Sequence, residues 1–104
     1  DEVDTGVSGR AAQKVGEKMA QVSRRKQVLC VTHLPQIAAM ADVHFSVEKG
    51  EEQGRTYTRI HCLDRQQREA ELARITGGAR ITDALLQSAG EMLDAAQVYR
   101  NALK

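Results

Sequence analysis

Apolar residues recur along this chain with two different periods, and the switches between those periods mark its elements. From Ser8 to Arg25, residues Ala11, Ala12, Val15, Met19 and Val22 fall at helical spacing, with Ser8 as the candidate cap, so the pattern predicts a helix. "KQVLCVTH", residues 26 to 33, is instead a compact β-branched run of the kind that fills buried parallel strands. "LPQIAAMA", residues 34 to 41, puts Pro35 where the first turn of a short helix accepts it. Strict alternation follows, with Val43, Phe45 and Val47 on one face and His44, Ser46 and Glu48 on the other, which predicts a half-exposed strand. After the polar turn "EEQG", the run "RTYTRIHCLD" alternates again with Thr58, Ile60 and Cys62 together, so a hairpin is expected. Residues 65 to 76 read as a charged helix stopped by Gly77 and Gly78. The last helix, 81 to 103, carries Ile81, Leu85, Ala89, Met92, Ala96, Tyr99 and Leu103 at steps of three and four, an apolar stripe that needs a surface to lie against.

The order is therefore strand end, helix, buried strand, helix, hairpin, helix, helix. A buried strand reached through a crossover helix implies an α/β fold with parallel strands and right-handed connections, to which the β-hairpin and C-terminal helices are added. In such sheets ligands gather at the carboxyl ends of the strands. Two polar clusters fall there: Asp1-Glu2 ahead of the first helix, and Thr32-His33 at the end of the second strand.

Composition narrows the class without naming a partner. The 104 residues make one domain at most, and 41% hydrophobic residues with a single Pro exclude a disordered chain. Fifteen Lys and Arg against fourteen Asp and Glu leave a formal charge of +1, so no global basic field points to nucleic acid. Cys30 and Cys62 sit in apolar runs without CxxC spacing, as expected of buried thiols in a reducing, cytoplasmic compartment. No apolar run reaches the length of a membrane span, so no membrane partner is expected.

Asp1 and Glu2 suit two different tasks, because consecutive residues at a strand end point in different directions. An Asp there can hold hydrated magnesium, and a Glu leaning into the cleft can polarise a water for attack on a phosphate. His33 across the cleft can donate to a phosphoryl oxygen. A solvated acidic terminus and a simple loop histidine are the plain alternatives. His44 and His61 read as ordinary strand residues, and a zinc site from Cys30, His33, His44, His61 and Cys62 lacks ligand pairs at usual spacing. Arg24, Arg25 and Lys26 read as a solvated helix end, with phosphate contact as the alternative.

"DEVD", a short loop, a helix and then "VTHLPQIAAMAD" together resemble the second half of an ATP-binding-cassette ATPase of the SMC kind, and most closely the RecN family of bacterial DNA repair. The resemblance implies that Asp1 is the Walker B aspartate that helps hold Mg2+, that Glu2 is the catalytic glutamate and that His33 is the switch histidine. It lays the D-loop on residues 4 to 10, "DTGVSGR", which makes Ser8 and Gly9 nucleotide-binding positions. Most relatives end that motif in Asp where this chain has Ser8, and the "DTGVSG" form favours the RecN family.

Neither the P-loop pattern GxxxxGK[ST] nor an LSGGQ-like signature occurs in the sequence, and "ITGGAR", 75 to 80, reads as a helix stop. The resemblance accordingly implies residues 1 to 104 as the C-terminal lobe of a P-loop ATPase head, a fragment of a larger chain, with Walker B end, D-loop and H-loop. Its implied cofactors are ATP and Mg2+ in the complete protein. Its implied partners are the N-terminal half of the same head, a second head in a homodimer, and DNA through the parent protein, in a cytoplasmic, nucleoid-associated setting. The fragment alone is expected to lack ATPase activity. A distinct alternative is a non-catalytic interaction domain that keeps the fold without nucleotide chemistry.

Overall fold

The computed structural model describes residues 9–78 and 80–103. Helix α1 spans Gly9–Val22, α2 Pro35–Ala39, strand β1 Phe45–Glu52, β2 Arg55–Cys62, α3 Arg65–Gly77 and α4 Asp83–Ala102. The mixed helix and strand content, with a hairpin followed by two helices, is that of an α/β segment.

The hairpin forms in the register that the alternation demands: Phe45 pairs with Cys62 and Val47 with Ile60, so the apolar positions share one face. Its turn is two residues long, with Gln53 at φ 54° and Gly54 at φ 76°. Both central residues are left-handed, as the twist-compatible type I′ turn requires.

Helix ends follow local chemistry. Asp64 caps α3 by accepting from the Gln67 N–H at 2.8 Å, while the Gln67 side chain accepts from the Asp64 N–H at 2.9 Å. Thr82 caps α4 by accepting from the Leu85 N–H at 3.2 Å. The two glycines at the end of α3 have different reasons: the Leu85 side chain lies where a Cβ on Gly77 would sit, and Gly78 turns the chain at φ 73°.

The core lies among the helices. Ala20, Ala38, Ala39, Met40, Leu72, Ala89, Leu93 and Ala96 form one buried cluster, with Met92, Tyr99 and Leu103 packed against it. Small residues dominate because α2 lies close to α1, α3 and α4 at once.

Three expectations are corrected. The α1 face turned inward is Ala12, Gly16 and Ala20, whereas Ala11 and Val22 are exposed. The close crossing with α2 rewards the absence of side chain, and Val15, Lys18, Met19, Val22 and Val28 line a groove of about 260 Å³ instead. The run 26 to 33 is not a buried strand: 27 to 30 have no regular structure, Val31 makes a single bridge, and Leu29 and Val31 are 85% and 66% exposed. Among the described residues the sheet is the antiparallel hairpin, and no described strand covers that run, so parallel pairing is not among the described elements. Cys30 and Cys62 are exposed for the same reason, since neither run is covered.

Candidate functional site

Asp1, Glu2 and Ser8 lie outside the described residues. Gly9 opens α1, and His33 sits on an exposed bend just before α2. That bend is built locally. The Leu34 N–H donates to Thr32 Oγ1 at 3.0 Å, and Leu34 itself is extended at φ −101°, ψ 126°, the conformation a following proline imposes. Pro35 then starts the helix without needing an N–H donor. The imidazole of His33 is thereby presented at the surface, on a segment held in shape by its neighbours.

Two contacts bring the start of α1 and the His33 segment together. A Cβ on Gly9 would lie 3.2 Å from Gln36 Nε2, three residues beyond His33. Further along, a Cβ on Gly16 would lie 3.1 Å from Met40 Cγ and 3.3 Å from the Gln36 carbonyl oxygen. Helix α1 therefore runs against α2 from its first residue. The Gln36 side-chain oxygen is buried and has no hydrogen-bond partner, an unusual state for a buried acceptor.

A second polar cluster, which the sequence did not reveal, ties α2 to the remaining helices. The Arg68 guanidinium donates through Nη2 to the carbonyls of Ala38, Ala39 and Ala41 at 3.3, 3.5 and 3.0 Å. Arg100 donates to the Ala39 carbonyl at 3.2 Å and its Nε lies 3.3 Å from Asp42. Asp42 also pairs with Arg24 at 2.8 Å, so one carboxylate joins the turn after α1 to α4. Arg24 is thus held within the fold, whereas Arg25 and Lys26 are exposed. Burial first, and then the charges of Arg100 and Arg65, push the Arg68 pKa below the usual guanidinium value. Among the described residues, no group of three or more His, Cys, Asp or Glu side chains is placed to hold a metal ion.

A search of curated proteins finds relatives over most of the chain. Its similarity is to RecN. A 93-residue stretch is 52% identical to the DNA repair protein RecN of Bacillus subtilis, covering 89% of this chain and 16% of that protein. The RecN of Haemophilus influenzae is 48% identical over 94 residues, 90% of the chain, and that of Vibrio cholerae 47% over 96 residues, 92% of the chain. The chain spans about a sixth of the length of these RecN proteins, 16% to 17%. No protein-family model matches the chain.

Proposed function

We propose that the chain is the C-terminal lobe of an SMC-like ATPase head that serves DNA double-strand break repair and recombination. In this reading Asp1 contributes to Mg2+ binding, Glu2 activates the attacking water, Ser8 and Gly9 belong to the loop that meets nucleotide, and His33 contacts the γ-phosphate. ATP and Mg2+ act once the Walker A half of the head is joined. Two heads pair on ATP, and hydrolysis separates them. The setting is the cytoplasm, on the nucleoid.

The observation that carries this reading is the approach of the Gly9 end of α1 to Gln36, because it sets the segment that follows residues 4 to 8 beside the one that bears His33. The 52% identity to a DNA repair protein supports the repair role. Phosphoryl transfer depends on positioning several contacts around one phosphate, so two polar segments from sequence-distant places must meet. A second reading, an interaction module without nucleotide chemistry, is favoured by the exposed apolar face of the hairpin.

The test uses the full-length parent protein. His33→Ala should leave ATP binding nearly intact and lower turnover by about 100-fold. Glu2→Gln should bind ATP and accumulate paired heads, whereas Asp1→Asn should weaken the response to magnesium. Normal turnover in the His33 variant sinks the nucleotide reading and leaves the interaction module.

A further inference from the structure

We propose that the cleft between α3 and α4, lined by Arg65, Arg68 and Arg100, binds a phosphate oxyanion, carried either by a free phosphate or by a phosphodiester backbone. The cleft has a volume of about 340 Å³, and Leu63, Leu93 and Gln97 complete its lining. No carboxylate is among these lining groups.

The charges around it do not cancel. Arg65 is held by Glu69 and Asp94, both at 2.8 Å. Arg100 shares Asp42 with Arg24. Arg68 donates to neutral carbonyls and has no ion pair among the described residues, and its Nε is buried without a hydrogen-bond partner. Three guanidiniums share three carboxylates in these ion pairs, and Arg68 adds a fourth positive charge with no carboxylate among them. The Arg100 and Arg65 charges, which after burial lower the Arg68 pKa, also attract an anion. Guanidinium is suited to the task, because its planar fork offers paired N–H donors to the oxygens of one phosphate.

The cleft shares no lining residue with the nucleotide positions proposed above, so its test does not depend on them. Arg68 and Arg100 also anchor α2, and replacing them risks the fold. Gln97 is exposed on α4, and Gln97→Glu introduces a negative charge into the lining with little structural demand. The experiment titrates the 104-residue chain with inorganic phosphate, with pyrophosphate and with a short duplex DNA of arbitrary sequence, following the arginine Nε–H resonances.

Saturable shifts of Arg68 and Arg100 with phosphate and pyrophosphate are expected, weakened about tenfold in Gln97→Glu and strengthened in Gln97→Lys, with His33→Ala unchanged. If duplex binding weakens in parallel and its log–log salt slope falls by about 1, the bound phosphate is that of a nucleic-acid backbone. If only the small anions respond, it is a free phosphate. Absence of saturable shifts with phosphate and pyrophosphate, or shifts that Gln97→Glu leaves unchanged while the helical spectrum is intact, overturns the proposal.

Discussion

Gly16 of α1 and Met40 at the end of α2 are in contact through the space that a side chain on Gly16 would occupy: a Cβ there would stand 3.1 Å from Met40 Cγ. The sulfur side chain can yield, but the Gln36 carbonyl oxygen at 3.3 Å and the Ile37 Cα at 3.5 Å belong to backbone and cannot. Gly16→Val should therefore push the helices apart and destabilise the chain by about 1–3 kcal/mol. Gly16→Ala gains helix propensity of about 1 kcal/mol that offsets its smaller clash, and should stay close to the parent. Thermal unfolding followed by circular dichroism checks both. A Val variant as stable as the Ala variant would mean that the crossing tolerates a wider separation.

The turn at Gln53 carries a side chain where the backbone favours none. At φ 54° a glutamine incurs the left-handed penalty that asparagine largely avoids. Gln53→Asn keeps the two-residue turn and should stabilise the hairpin by about 0.5–1 kcal/mol. Amide exchange in β1 and β2 should slow by about two- to fivefold as local opening becomes rarer. Faster exchange in this variant would contradict the turn geometry.

His44 gives the fold a pH dependence whose sign follows from its surroundings. The ring is half-buried with Nδ1 unpartnered, and burial first and the Arg68 charge second lower its pKa from 6.5, against a smaller opposite pull from Glu71. Below 6.5 the unfolded chain takes up a proton that the folded chain still refuses. Stability therefore falls as pH drops from that value through the folded pKa, and the loss is complete below it. In His44→Gln, the decrease in Tm between about pH 7.5 and about pH 5.5 should be smaller than in the parent. An unchanged decrease would assign the dependence to the carboxylates.

The hairpin and the helix stops were legible because each is fixed by residues close in sequence. Alternation alone sets Val47 opposite Ile60, and Gly78 ends α3 at its own left-handed backbone. The inward face of α1 was not legible, since Ala12, Gly16 and Ala20 carry little apolar surface, and only the nearness of α2 makes small size the deciding property. Nor were the roles of Arg68 and Arg100, whose carbonyl partners in α2 lie 30 and 61 residues away. Of the candidate site, the bend at His33 follows from Thr32, Leu34 and Pro35, whereas the expected meeting of Asp1-Glu2 with Thr32-His33 falls on residues outside the described ones.

Among the described residues, the hairpin presents an uncovered apolar face. Phe45, Val47 and Ile60 are 53%, 60% and 67% exposed on one side of the two strands, with Cys62 beside them. Contiguous apolar surface of this kind is unfavourable in water and drives association. Ile60→Lys keeps a long side chain in a non-core position and breaks the face with a charge, while leaving the ladder hydrogen bonds of the backbone intact. In sedimentation velocity the parent chain should therefore self-associate with rising concentration, and Ile60→Lys should shift it toward monomer at the same concentration. ATP turnover should stay at background in both, because positioning supplies most of phosphoryl-transfer catalysis and the sequence has no GxxxxGK[ST] loop to cradle the phosphates. A parent chain that remains monomeric at high concentration, or that hydrolyses ATP by itself, would show that the exposed face and the missing loop do not limit it.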